Sequence, residues 1–448
     1  MIRSVKQTGS ARPQTFRPSA LVPIAFDALE ALPPRLWIKA DGARWFLGQI
    51  MRKTIHGHGD DKDFVPMSGR IIREMVGRRT WPTMRRALDG LLETRPHIGG
   101  VRCRGYRLGE RLTGPLHRVH LLDPRIVKRL EALRAQFLQI QEEVQLPIHR
   151  RLRERQSELT IDPGVYAALA ELSDRARPPQ EALIDSIQQR QIRFSVSATG
   201  RVFHWVTGLA RSLRPFILLA GEPICGVDIV GAQPALLGLL FHPNGLKGAP
   251  SLYPYPSPLI RLASLVPLLW LGASASVSRP VAARIVGFFD SLPGLLRCVG
   301  PDASVFADLA ASGCLYEMLL ELCVAAGVQM PADVECRSWI KRRFLIDILV
   351  CAGEYPCDLA FLFRERFPSV FRFLALANRD NRGTVIGSLQ ALESALVVLS
   401  VAPRLVERIP IVTLHDALIC RRRDRPLVRD AFYETFDDLG FHFQLKEE

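Results

Sequence analysis

No two of the nine cysteines in this 448-residue chain form a C-x-x-C pair. That excludes a zinc finger or ribbon built on paired cysteines. An odd, scattered set also argues against a disulfide framework. Most lie in apolar surroundings, as Cys225, Cys323 and Cys351 do, and are expected as reduced core thiols of a cytoplasmic protein. The first eight residues lack the apolar stretch of a signal peptide. The most apolar run, 259–277, is broken by Arg261, Pro267 and Gly272, so a buried helical region is expected there and no membrane partner. Acid is in short supply: 45 Asp and Glu stand against 59 Lys and Arg, a net charge of +14. That balance favours a polyanionic partner, of which nucleic acid is the commonest. No internal repeat is present.

What is there divides into four stretches. Residues 1–26 carry Pro, Ser, Thr and Arg without periodicity, and a flexible arm is expected. Residues 27–123 read as helix (36–55), helix (69–76, capped by Ser68), basic turn (77–80), helix (82–92) and a hairpin of 100–108 with 118–122. That order predicts a winged-helix-like domain whose third helix enters the major groove, with Trp81, Arg85 and Arg86 at its leading end. Residues 124–190 are charged and helical, a connector or thumb. From 191 onward strand-like and helical runs alternate, and this part carries the chemistry.

Three segments of that last part stand out. Asp228 follows the apolar run 223–227, which reads as a buried strand. Arg337 and Lys341 are four apart and share one helix face. His415-Asp416 sits in a tight turn between two apolar runs, 409–414 and 417–420. A carboxylate at the end of a buried strand is costly unless it meets a metal or a partner. Two such carboxylates suit a pair of divalent ions about 3.5–4 Å apart, the arrangement that supports phosphoryl transfer. Arg337 and Lys341 suit a triphosphate, and Lys341 suits proton donation to the leaving pyrophosphate.

Taken in order, these segments resemble the palm and fingers of family A DNA polymerases and the related single-subunit phage-type RNA polymerases. Ala198-Thr-Gly-Arg201 is similar to their T-x-x-G-R segment. Arg211-Ser-Leu-Arg214-Pro-Phe216 is similar to the stretch leading into motif A. Asp228 matches the first metal-binding Asp, Arg337 and Lys341 the R-x-x-x-K of the fingers helix. Gln390 matches the glutamine of the helix before motif C, and His415-Asp416 its H-D pair. The resemblance covers 191–448 and implies an α+β, right-hand polymerase fold. It implies Mg²⁺ or Mn²⁺ on Asp228 and Asp416, and catalysis by these with Lys341. Arg201, Arg211, Arg214, Gln390 and His415 would contact nucleic acid. Arg337, Lys341, Gln233 and Tyr316 would contact the nucleoside triphosphate. The implied partners are DNA template and primer, with RNA as a further candidate.

The chain departs from the family at three places. Ala417 stands where the DNA enzymes have Glu after the motif C Asp, as in the RNA branch. Leu349 stands where both branches normally have Tyr. Gln233, five residues after Asp228, stands where the DNA enzymes have Glu and the RNA enzymes Gly. A side chain of that size would exclude a ribose 2′-hydroxyl, so deoxynucleotides are expected. No Asp-x-Glu exonuclease signature occurs in the N-terminal part, so proofreading is not expected. A DNA-binding domain joined to a polymerase suggests a replication protein of a phage, plasmid or other mobile element. The rival expectations are an RNA polymerase or primase of the same fold, and a DNA-binding initiator with an inactive palm.

Overall fold

The computed structural model describes residues 18–55, 64–97, 103–112, 114–144, 146–174, 176–190, 192, 194–241, 279–331, 334–353 and 357–447. The apolar region 259–277 and the first 17 residues of the expected arm lie outside the described residues. The fold is mixed α+β. It forms two compact units, one of Met1–Gln139 with Tyr166–Asp185 and one of Ile140–Val165 with Ser186–Glu448. The expected connector, 124–190, is therefore divided between them.

In the first unit the end of the expected arm is a strand. β1 (Ser19–Pro23) pairs antiparallel with β5 (Leu116–His120). Its alternate residues Ala20 and Val22 are buried. It lies so close on the helix Ala40–Ile55 that a Cβ at Gly48 would stand 2.7 Å from Ala20 Cβ. Then follow β2 (Val65–Met67), the helices Gly69–Val76 and Trp81–Ala87, β3 (Leu92–Arg95) and β4 (Arg104–Leu108). The expected hairpin partner for 100–108 needs correcting. β4 pairs with β3 and β2, in the order β2-β4-β3, and β5 pairs elsewhere. Tyr106 decides this: it is buried, with its ring edge-on to Phe46 at 5.0 Å and Trp81 at 6.3 Å. β5 has mostly polar, exposed side chains and offers the core no comparable anchor. The third helix is also shorter than expected, because Gly90 (φ +83°) turns the chain into β3.

The second unit is built on an antiparallel sheet. Its strands are β6 (Leu159–Ile161), β9 (Ile217–Leu219), β10 (Glu222–Ile229), β11 (Ile411–Leu414), β12 (Ala417–Arg421) and β13 (Leu445–Glu447). The order is β11-β12-β10-β9-β6, with β13 on β10. A hairpin of two-residue strands, β7 (Ser195–Val196) and β8 (Val202–Phe203), lies between β6 and β9 in the chain. Ala220 and Gly221, both at positive φ, close the β9–β10 hairpin, as the right-handed strand twist favours. In β10, Cys225, Val227 and Ile229 face the core, so Asp228 lies on the opposite face of the strand.

The helix Ala232–Phe241 is apolar nearly all round and buried accordingly. It packs against the helix Asp302–Ala311, where Gly238 lets the two backbones approach. Phe241, Phe306, Phe363, Phe367 and Phe373 meet edge-on around it. The run Thr384–Arg404 is long and apolar enough to cross a membrane by length and composition, but 72% of its apolar window is buried inside the protein.

Gly313 breaks the chain between the helices Asp302–Ala311 and Leu315–Ala325 at φ +74°. A Cβ there would stand 2.7 Å from Val230 Cγ1 and 2.6 Å from Gln444 Oε1. Gly313→Ala combines left-handed strain with overpacking and is expected to lower stability by about 2–3 kcal/mol. Urea denaturation reads this directly. A midpoint equal to that of the wild type would mean the contact relaxes freely.

Candidate active site

The centre of the site is a register. Asp228 in β10 pairs with Ala417 in β12, so Asp416, one residue earlier, is brought beside it. The two carboxyl groups are hydrogen-bonded to each other. Burial pushes the Asp416 carboxyl above its ordinary range, against the opposing effect of Arg201 and Lys341.

His415 and Asp416 form a two-residue hairpin loop, since Leu414 pairs with Ala417. A loop this short needs a positive φ, and His415 adopts φ +58°. A non-glycine residue there stores strain, typically about 1–3 kcal/mol. The ring of His415 is edge-on to Phe203 at 5.4 Å, and Nδ1 is buried without a hydrogen-bond partner among the described residues. Burial lowers its pKa to about 4, helped by Arg201, His204 and Arg214, so it is neutral at physiological pH. His204 is a core residue. Its Nε2–H donates to the Thr413 carbonyl at 2.5 Å, and burial lowers its pKa to about 4.

The cations come from two directions. Arg201, after the β7–β8 turn, makes a bidentate pair with Glu393: Nε to Oε1 at 2.7 Å and Nη2 to Oε2 at 2.6 Å. Glu393 Oε2 also accepts from Gln233 Nε2 at 2.7 Å. Gln390, one turn earlier on the same helix (Thr384–Ser394), accepts from the Thr199 hydroxyl at 3.4 Å. On the other side the helix Cys336–Arg343, N-capped by Glu335, carries Arg337 and exposed Lys341. Arg337 pairs with Glu317 and lies over the ring of Tyr316, 5.6 Å from its centroid.

Some expected residues take other parts. Trp81 is buried beside Phe46 at 4.7 Å, so it anchors the first unit's core and is not a surface contact. Arg85 and Arg86 are exposed. Tyr316 is 3% exposed, against Phe344, and supports Arg337 from beneath. Arg343 is tied to Asp347 at 2.6 Å. Leu349 is fully buried, so that position offers no side chain to a sugar. Arg211 is exposed on a short 3₁₀ turn, where Arg214 Nε donates to the Leu209 carbonyl at 3.1 Å.

Two residues escaped the sequence reading. Lys446 pairs with Asp228 across β13–β10, its Nζ 3.7 Å from Asp228 Oδ2. The alternation of Phe441, Phe443 and Leu445 with His442, Gln444 and Lys446 was a usable strand signal. Glu393 is the other. A lone acid in the apolar run 389–401 signals a buried, partnered charge.

The donor set suits a divalent oxygen-seeking cation. Asp228 and Asp416 are hard oxygen ligands side by side, and among the described residues no group of three or more His, Cys, Asp or Glu gathers as a complete protein cage. Two carboxylates with substrate oxygens and water completing the shell is how Mg²⁺ is usually held. Compared with known proteins, the chain matches no family model and no curated sequence.

Proposed function

We propose that the chain is a template-directed nucleotidyltransferase with a right-hand palm, extending a 3′-hydroxyl with deoxynucleoside triphosphates. The observation that carries this is the β10–β12 register, with Asp228 and Asp416 adjoining and Lys341 and Arg201 acting on Asp416. Asp228 and Asp416 would hold Mg²⁺ or Mn²⁺. That cation, when bound, neutralises phosphate charge and favours ionisation of the attacking hydroxyl. Arg337, released from Glu317, would bind the triphosphate. Lys341 would hold the phosphates and give a proton to the departing pyrophosphate. Arg201, Gln390 and His415 would meet the primer–template, and Gln233 the sugar. A neutral, buried His415 suits a hydrogen bond to a base or sugar better than a phosphate contact.

The first unit fits a nucleic-acid-binding role in the same protein. Its order of helix, β2, two helices, β3 and β4 would suit a winged-helix-like domain, and Arg85 and Arg86 are exposed on the second of the paired helices. A replication protein of a mobile element is consistent with this pairing. The second reading is an RNA polymerase or primase of the same fold. Ala417 favours it, because it is buried and brings no third carboxylate next to Asp416.

The test is extension of a labelled primer on single-stranded DNA with Mg²⁺ or Mn²⁺, with deoxynucleotides and ribonucleotides supplied separately. Templated product with deoxynucleotides supports the first reading, and product with ribonucleotides alone supports the second. No product from primed or unprimed template would remove both. Within an active enzyme, Lys341→Ala is expected to lower kcat about 10²–10³-fold, because it acts where charge develops. Arg337→Ala is expected chiefly to raise KM for the triphosphate, by about tenfold, as loss of uniform binding. Steady-state single-nucleotide insertion separates the two. Identical effects on kcat would mean Arg337 also acts in the transition state.

A further inference from the structure

Three side chains from three separate stretches converge under the site. Glu393 is 1% exposed, and each of its oxygens is in use. Oε1 accepts from Arg201 Nε at 2.7 Å, and Oε2 accepts from both Arg201 Nη2 at 2.6 Å and Gln233 Nε2 at 2.7 Å. The Thr199 hydroxyl reaches Gln390 on the same helix at 3.4 Å, a second tie between the 197–201 turn and that helix. Just beyond Glu393 the helix passes into a π-helical turn, Ala395–Val401, an irregularity that often marks functional positions.

The chemistry of this cluster is directional. When ionised, the Glu393 carboxylate is an acceptor only, so it fixes which end of the Gln233 amide faces it: the NH₂ group points to Glu393. The amide's Oε1 is left buried without a hydrogen-bond partner among the described residues. Gln233 is thus held in one orientation by one contact. The bidentate grip on Arg201 likewise fixes the plane of its guanidinium, which a single point contact would not.

We infer that Glu393 is a positioning residue that sets Arg201 and Gln233 together, so that one buried carboxylate couples the grip on the primer to the choice of sugar. This rests on the polymerase reading of the site. Glu393 touches neither substrate; it acts through the other two residues. Loosening it frees the Gln233 amide to turn and the Arg201 guanidinium to tilt, and both properties change at once.

The test uses the full chain. Sugar discrimination is the ratio of kcat/KM for a deoxynucleotide to that for the matching ribonucleotide. Primer–template affinity is measured separately by fluorescence anisotropy without nucleotide. Glu393→Gln places an amide where three N–H donors need acceptors. It is expected to lower discrimination about tenfold and primer affinity about tenfold, while cooperative melting persists. The exchanged pair Glu393→Gln with Gln233→Glu restores a donor facing an acceptor and is expected to recover much of the discrimination. A folded Glu393→Gln protein with both properties within about twofold of wild type overturns the inference.

Should Glu393→Gln fail to fold, a double-mutant cycle takes its place. The pair is Arg201→Lys and Gln233→Ala, whose side chains meet through Glu393. Coupling of about threefold or more in discrimination supports the shared anchor, and strict additivity overturns it. Absence of any extension by the wild-type protein is a separate result, and removes the polymerase reading together with the inference.

Discussion

On the proposed polymerase reading, Asp416→Asn is expected to abolish primer extension, lowering kcat by at least about 10³-fold, without lowering the melting temperature. The two halves of that result have one cause. Asp416 is buried beside Asp228, and burial raises its pKa. A carboxyl with a raised folded pKa holds its proton more tightly folded than unfolded. It therefore favours the fold at pH below its ordinary value, and that contribution is lost as pH rises above it. Asn cannot ionise and can still hydrogen-bond to Asp228. Its stability advantage over the wild type should grow from about pH 4 towards neutrality. Melting between pH 5 and 8, alongside primer extension, tests both halves. Calorimetric Mn²⁺ binding in the presence of nucleotide should vanish in the variant. Residual activity within tenfold of wild type, or a melting temperature several degrees lower at neutral pH, would sink this account of Asp416.

Arg201→Ala should be the most destabilising single change at the site, costing about 3–5 kcal/mol at alkaline pH, where Glu393 is ionised. It removes the only bidentate cation described on Glu393 and leaves that carboxylate buried with Gln233 alone. The cost depends on pH in a definite direction. Burial already pushes the Glu393 pKa up to about 7, with Asp416 adding to the rise and Arg201 and Gln233 opposing it. Without Arg201 the pKa rises further. The variant then escapes part of the penalty by taking up a proton, and more completely at low pH. The stability difference should be small near pH 5 and widen as pH rises through 7. Denaturant titrations at three pH values provide the measurement. A difference independent of pH would mean Glu393 is not the group left unpaired. Arg201→Ala with Glu393→Gln should recover stability relative to Arg201→Ala alone, since no buried charge remains.

Asp228 and Asp416 were legible because a charged residue at the end of an apolar strand run has few physical explanations. The hairpin carrying His415-Asp416 was legible because two apolar runs flank only two residues. The helix bearing Arg337 and Lys341 followed from spacing alone. Local rules of period, turn length and capping act over a few residues, and the chain by itself determines them.

Long-range pairing was decided elsewhere. Nothing local distinguishes β3 from β5 as the neighbour of β4. The choice follows from the seat of Tyr106 beside Phe46 and Trp81, three residues brought together from distant stretches. The same packing withdrew Trp81 from the surface, although an aromatic at the start of a basic helix reads as a nucleic-acid contact. β1 reads as part of an arm because Pro, Ser, Thr and Arg around it show no periodicity, and becomes a strand only where the helix Ala40–Ile55 offers Gly48 as a flat seat. Lys446 reaches Asp228 only through the β10–β13 register, more than two hundred residues apart in the chain.

The Glu393 cluster shows the division most clearly. A lone acid in an apolar run announces that a partner exists, because an unpaired buried charge is too costly. Which partner is a matter of distance in space. Arg201 and Gln233 lie 192 and 160 residues away, and hydrogen bonds are decided within a few tenths of an ångström. The sequence by itself determined the residue types, their helical or extended setting and the need for compensation. Only the tertiary structure decided which charges meet, because burial and Coulombic energy depend on through-space separation and not on position along the chain.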